Sequence, residues 1–234
     1  MQIAFISDIH GNIDALKAVF KEIVRLKIKK IFCLGDILNY YYQPDKCIDI
    51  LIKNNVSCIK GNHETIFFLT LKDKKKKLFF SNLYGKSIYI NHKILSNKHI
   101  LFLKKLKSQK KITINKKKFL LAHGSPWNAN FYFYPNSKKK WFRKIASYKF
   151  DYIVLGHTHI PMKAKINRQL TVFNPGSVGQ PRDNTCDASW LLLNTNVMKF
   201  KIMKSKYNKK NLKSKIKKYD CNNSKISKFF KTCN

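Results

Sequence analysis

Five short apolar runs in this chain each end on residues that bind metals. The exits are Ser7–Asn12 (SDIHGN), Leu34–Asn39 (LGDILN), Lys60–Glu64 (KGNHE), Ala122–Pro126 (AHGSP) and Leu155–Pro161 (LGHTHIP). A short apolar run closed by Gly, Asn or Asp reads as a buried strand with a tight turn at its C-terminal end. Together the exits supply Asp8, His10, Asp36, Asn62, His123, His157 and His159. These are oxygen and nitrogen donors with no sulfur, enough to hold two metal ions side by side with one carboxylate shared. Paired metals a few ångströms apart activate water against phosphate esters.

The first sixty residues alternate strand and helix. Residues 2–7 read as a strand, and Ile13, Leu16, Val19, Phe20, Ile23, Val24 and Leu26 recur at helical spacing over about 12–27. A strand at Lys30–Leu34, a helix over 44–54 opened by Pro44 and a strand at Val56–Lys60 complete a β-α-β-α-β run. Such a run forms parallel strands with right-handed crossovers. Residues 64–108 read as helical, with a turn near Ser96–Asn97. Strands are expected at 111–115, 118–122, 152–155, 162–167, 170–173, 188–194 and 197–203, with a polar, aromatic insertion at 125–150. The fold class expected is α/β, two packed sheets with helices outside. The first 203 residues form one domain. Residues 204–234 are rich in Lys, Asn and Ser and form a tail, either disordered or a short surface helix, that is dispensable for catalysis.

Composition narrows the setting. No stretch approaches the ~20 apolar residues of a membrane helix, and MQIAFIS is too short for a signal-peptide core. The six cysteines are scattered without a C-x-x-C pair, as expected of reduced thiols in the cytoplasm. Lys and Arg number 48 against 12 Asp and Glu, a formal charge of +36. A balance this basic attracts polyanions without sequence preference. Yet the only arginines are Arg25, Arg143, Arg168 and Arg182, and Asn and Ile are abundant. That is the codon signature of an AT-rich genome, whereas arginine is the better fork for phosphates and bases.

Within the donor set, Asp8 and His10 are two residues apart at one exit, as are His157 and His159 at another, so each pair can turn to one cation. Asp36 has two carboxylate oxygens to share between cations, and Asn62 offers a neutral carbonyl oxygen. Mixed carboxylate, amide and imidazole ligation suits Mn²⁺, Fe²⁺, Zn²⁺, Co²⁺ or Ni²⁺ over Ca²⁺ or Mg²⁺.

The ordered set D-x-H, G-D, G-N-H-[DE], H-G and G-H-x-H resembles the calcineurin-like metallophosphoesterases over about residues 1–200. The stretch Asn174–Arg182 (NPGSVGQPR) is similar to their small prokaryotic phosphodiesterase branch. The resemblance implies a four-layer α/β/β/α sandwich with the site at the strand C-termini. It implies one metal on Asp8, His10, Asp36 and His159 and a second on Asp36, Asn62, His123 and His157, with manganese preferred. Attack on phosphorus would come from a metal-bridging hydroxide, with His63 giving a proton to the leaving oxygen. The phosphoprotein phosphatases of the superfamily carry G-D-x-V-D-R-G. Here that stretch ends Leu38-Asn39-Tyr40, so the acid that would partner the histidine and the phosphate-binding arginine are both missing. What orients His63 is therefore left open.

The expected activity is hydrolysis of small phosphodiesters. Alternatives are a dinucleoside polyphosphate hydrolase, a phosphomonoesterase or protein phosphatase, and a non-enzymatic assembly scaffold of the same fold. The retained ligands and His63 speak against the scaffold. Tyr40–Tyr42 and the aromatics at 127–134 either wall the pocket or simply pack their loops. Arg182 either clamps a phosphate or pairs with Asp183. His92 and His99, in the Lys-rich helical segment, read as surface or hydrogen-bonded histidines rather than ligands.

Overall fold

A computed structural model describes residues 1–223 and Ile226. In β1 (Gln2–Ile6), Ile3 and Phe5 face one way and Ala4 and Ile6 the other, and all four are buried. Both faces of the strand are therefore covered, as its unbroken apolar run requires. β2 (Lys30–Cys33) and β3 (Ser57–Cys58) extend it in parallel, and β9 (Ala188–Asn194) and β10 (Lys199–Ser205) antiparallel, in the order β10-β9-β1-β2-β3. A second five-stranded sheet has the order β4-β5-β6-β8-β7. Its strands are β4 (Gln109–Ile114), β5 (Lys117–Ala122), β6 (Tyr152–Val154), β7 (Pro161–Lys165) and β8 (Thr171–Pro175). Within it β5, β6 and β8 run parallel.

The sheets meet through Ile3, Phe5, Phe32, Phe119, Leu121, Val154, Phe173, Leu191 and Leu193. Phe5 stacks on Phe32 at 5.4 Å and on Phe119 at 6.4 Å between ring centres. The alternate residues turn outward. Ala4, Ile6 and Trp190 pack against α1 (Ile13–Arg25) and α2 (Pro44–Lys53). Leu120, Ala122 and Ile153 pack under α7 (Lys139–Ala146), which contributes Ile145. The four layers are thus α, β, β and α, set by the period-2 alternation of each strand. The helical stretch after β3 resolves into α3 (Asn62–Lys72), α4 (Lys74–Tyr84), α5 (Ser87–Ile94) and α6 (Asn97–Lys104).

β10 runs on to Ser205, and α8 (Lys210–Asp220) buries Leu212, Ile216 and Asp220 against Tyr41 and Tyr42. Three well-placed buried side chains suffice where the average residue is too polar to form a core. Residues 224–225 and 227–234 of the expected tail lie outside the described residues. Cys33, Cys47, Cys58 and Cys221 are free thiols, but Cys186 is disulfide-bonded, which corrects the expectation of reduced cysteines at that position. Among the described residues no helix is long and apolar enough to cross a membrane.

Candidate metal centre

The parallel strands of both sheets end at one edge, so their exit loops meet there. The loop after β1 zips onto the loop after β2: Asp8 N donates to Gly35 O at 3.0 Å, His10 N to Asp36 O at 3.0 Å and Gly11 N to Ile37 O at 2.8 Å. Asp8, His10, Asp36, His157 and His159 all adopt positive φ, between 51° and 70°. A left-handed backbone at five such positions is costly for side chains other than glycine. It persists because surrounding hydrogen bonds over-determine it. The approach of the strands is close enough that a Cβ on Gly61 would overlap the Asp36 carboxylate.

Several residues outside the candidate donor set brace it. Glu64 is fully buried, and its carboxylate accepts from Asp36 N (2.9 Å), Ile37 N (2.8 Å) and Gly61 N (2.8 Å), tying the loop after β2 to the start of α3. Ser177 Oγ donates to Asp8 O at 2.7 Å, and Asn174 Nδ2 donates to Gly156 O at 2.7 Å. Glu64 and Asn174 lie within motifs visible in the sequence, but the long-range partners that give them a role are not.

All seven expected ligands converge. The structure groups Asp8, His10 and His159; His10, Asp36 and His63; and Asp36, His123 and His157 within cation-binding reach. His123 Nε2 lies 3.1 Å from Asp36 Oδ2 and 3.0 Å from Asn62 Oδ1. His159 Nε2 lies 3.4 Å from Asp8 Oδ1, and His10 Nε2 lies 3.9 Å from both Asp8 Oδ1 and Asp36 Oδ2. Three imidazoles have their Nδ1 engaged by main-chain carbonyls: His10 with Leu38 O (2.9 Å), His123 with Leu34 O (2.7 Å) and His159 with Gln180 O (2.7 Å). A carbonyl only accepts, so Nδ1 of each ring bears a hydrogen and Nε2 is the atom turned inward. The Nε2 atoms of His10 and His159 face each other at 3.1 Å. His157 Nε2 is buried with no hydrogen-bond partner. Converging imidazole Nε2 atoms and an orphaned buried nitrogen beside two carboxylates fit bound cations.

The charges carry the same imprint. Burial would raise the carboxyls of Asp8 and Asp36. His159 and His123 nevertheless hold Asp8 below the usual range, and His123 and His63 do the same for Asp36. Burial, with His159 and His63 nearby, pushes His10 well below the ordinary imidazole value. It takes His63 and His157 down to about 4. His123 is opposite: burial opposes its charge, but Asp36 and Asp8 outweigh it and raise it to about 10. Burial and the Asp36 charge raise Glu64 to about 7 despite its backbone donors.

Aromatic side chains ring the centre. Tyr40 sits 4.7 Å from His10 and 5.2 Å from His63, Tyr84 4.5 Å from His63 and Tyr132 4.0 Å from His157, between ring centres. The insertion therefore divides. Tyr132 faces the centre, whereas Trp127, Phe131 and Phe133 pack with Trp141 and Phe142 over the outer face of the second sheet. Tyr41 and Tyr42 pack against α8. Arg182 reaches Tyr40 Oη at 3.4 Å and Gln180 Oε1 at 3.1 Å, while Asp183 pairs with Lys204 instead. His92 bonds Thr70 Oγ1 and His99 bonds Asp49, both remote from the centre. Tyr84 carried no sequence signal, since it lies in a Lys- and Phe-rich helix.

Two mixed sheets with histidines and carboxylates gathered at their strand ends define the metallophosphoesterase class. Residues 1–197 match the calcineurin-like phosphoesterase superfamily domain, and the chain belongs to that superfamily. It is 33% identical over 231 residues to an uncharacterized protein of Methanocaldococcus jannaschii, covering 92% of this chain and 91% of that protein. In fold it is similar to a metallophosphoesterase from Sphaerobacter thermophilus, with TM-score 0.76, 22% identity and 93% and 94% of the two chains covered. It is also similar to a hypothetical protein from Pyrococcus horikoshii, with TM-score 0.80, 22% identity and 92% of each chain covered.

Proposed function

We propose that this chain is a dinuclear metal-dependent phosphodiesterase acting on small phosphodiesters in the cytoplasm. Asp8, His10, Asp36 and His159 would hold one ion and Asp36, Asn62, His123 and His157 the other, with Asp36 between them. The carrying observation is the inward convergence of imidazole Nε2 atoms, those of His10 and His159 3.1 Å apart and that of His157 orphaned. Manganese is the preferred metal, with Fe²⁺, Zn²⁺, Ni²⁺ and Co²⁺ as alternatives. Bound here, such ions lower the pKa of water and neutralise phosphoryl oxygens.

The chain's own residues do the rest. Backbone carbonyls fix the imidazole tautomers and so aim the ligands. His63, its Nε2 3.9 Å from Asp36 Oδ2, stands beside the reacting phosphorus and gives a proton to the leaving oxygen. Arg182 and Tyr40, joined to each other, meet the phosphate or its substituent. Tyr84 and Tyr132 limit water at the mouth and offer stacking faces. Those faces favour dinucleoside polyphosphates as the second reading, since a base stacks on a phenol ring. The free thiols among the described residues support a reducing compartment, with bonded Cys186 the contrary feature.

The test is metal analysis of the purified protein together with turnover of a bis-nitrophenyl diester and a nitrophenyl monoester under Mn²⁺, Ni²⁺, Co²⁺, Zn²⁺ and Mg²⁺. Two ions per chain and faster diester turnover are expected. A metal-loaded protein that turns over neither ester overturns the enzymatic reading, and a single ion overturns the dinuclear one.

A further inference from the structure

His63 turns its Nδ1 away from the metal centre, and the side-chain amide of Asn39 lies 2.9 Å from it. Both residues are buried. An amide has two different ends, and they hold an imidazole in opposite ways. With Oδ1 toward the ring, Nδ1 carries hydrogen and Nε2 faces the centre free to take and deliver a proton. With Nδ2 toward the ring, two N–H groups would collide whenever the imidazole held the proton that a general acid needs. A carboxylate partner has no wrong way round, but Asn39 does.

The choice is made one residue further out. Asn91, fully buried on α5, touches the Asn39 amide at 2.5 Å. If Asn91 Nδ2 faced Asn39, its own oxygen would oppose the carbonyl of Ser87, acceptor against acceptor. Turned the other way, Asn91 Nδ2 donates to Ser87 O at 3.0 Å and its oxygen takes Asn39 N–H at 3.3 Å. That oxygen then demands Asn39 Nδ2 at the 2.5 Å contact, and Asn39 Oδ1 is left for His63. The order of bonds runs Ser87 C=O, Asn91 amide, Asn39 amide, His63 Nδ1–H.

We infer that Asn91 is a positioning residue that, through Asn39, holds His63 in its Nδ1–H form and aims Nε2 at the substrate's leaving oxygen. The inference rests on the phosphoesterase reading above, and it supplies from two neutral amides what a carboxylate supplies in an Asp–His pair. It also explains why a residue on a lysine-flanked helix is fully buried at the back of the site.

Two measurements test it. In Zn²⁺-loaded wild-type protein with ¹⁵N-labelled histidine, at a pH above the ring's titration, long-range ¹H–¹⁵N spectra should show His63 protonated at Nδ1. Protonation at Nε2 overturns the inference, whether or not the protein hydrolyses any ester. In the second, Asn91→Leu should lower kcat about tenfold or more for a diester with an alkyl leaving group, out of the ~10²–10⁴-fold that general acid catalysis supplies. The loss for a nitrophenyl diester should be clearly smaller, because that leaving group needs little protonation, and KM should hold for both. Adding Asn39→Asp to Asn91→Leu should recover the alkyl diester, since a carboxylate accepts from Nδ1–H in either orientation. Equal losses on both substrates, or no recovery, overturn the inference. Should Asn91→Leu fail to fold, the wild-type spectrum decides; should no variant or wild type hydrolyse esters, the functional reading fails while the spectrum still tests the amide pair.

Discussion

Replacing Asp220 with alanine probes how the C-terminal helix supports the site. Its carboxylate accepts from Tyr42 Oη at 2.8 Å and from Lys86 N at 2.9 and 3.2 Å, on a residue only 7% exposed. Tyr42 follows Asn39 and Tyr40 by a few residues, and Lys86 lies between Tyr84 and Asn91. One carboxylate therefore ties together the two segments that form the wall beside His63. Gly85, at φ 74°, lies so close that a Cβ there would overlap Asp220 and Ile226. Alanine at 220 leaves a buried hydroxyl and a main-chain N–H unpaired, at ~1–3 kcal/mol each. Water can reach the Lys86 side, so we expect a loss of about 2–4 kcal/mol. For a domain of this size each kcal/mol moves Tm by ~2–4 °C, giving a drop of about 5–15 °C. Calorimetry of the metal-loaded protein measures this, with Asp220→Asn, which keeps one acceptor oxygen, expected in between. Truncation after Ser205 should cost more, because it also gives up Leu212 and Ile216, worth ~1.5–3 kcal/mol apiece. An Asp220→Ala protein melting within about 2 °C of wild type, under 1 kcal/mol on the same scale, would show that α8 is not anchored and that the tail is as dispensable as its composition implies.

His63→Ala should retain metal, lose ~10²–10⁴-fold in turnover of esters with poor leaving groups and lose much less with nitrophenyl esters; equal losses in steady-state assays would remove its acid role. The metal-free protein should be most stable near pH 6.5. Above that value the unfolded chain gives up the His123 proton that the fold keeps up to about 10, so the stability that proton brings is progressively lost. Below it, His63 and His157, held near 4 in the fold, are charged more readily in the unfolded chain, so stability falls from about 6.5 to 4. Melting of EDTA-treated protein from pH 4 to 10 checks both limbs, and a steady rise above pH 6.5 would contradict the His123 assignment. Raising salt from about 50 to 200 mM should weaken DNA or RNA retention by ~10³–10⁵-fold if six to ten phosphates are contacted. Hydrolysis of a small diester should change little over that range. Nucleic acid retained and cut at fixed positions through the salt rise would make it the substrate.

The sequence by itself determined the parallel strands of the first sheet, the burial of the apolar runs that form β1, β5 and β6, and the identity of the candidate donor side chains at their exits. These features are local. Side-chain alternation has a period of two, and an exit motif keeps its donor, glycine and turn within a few residues. Only the tertiary structure decided what stands behind those donors. The Asn39 and Asn91 amides meet across 52 residues, and Asp220 reaches Tyr42 across 178. Tyr84 and Tyr132 approach His63 and His157 from opposite ends of the chain's middle third. None of these partners leaves a periodic or spaced trace, because an asparagine or tyrosine in a lysine-rich helix looks the same whether it faces water or a histidine. Burial makes the difference, and burial at these positions depends on which segments pack together after the sheets have formed.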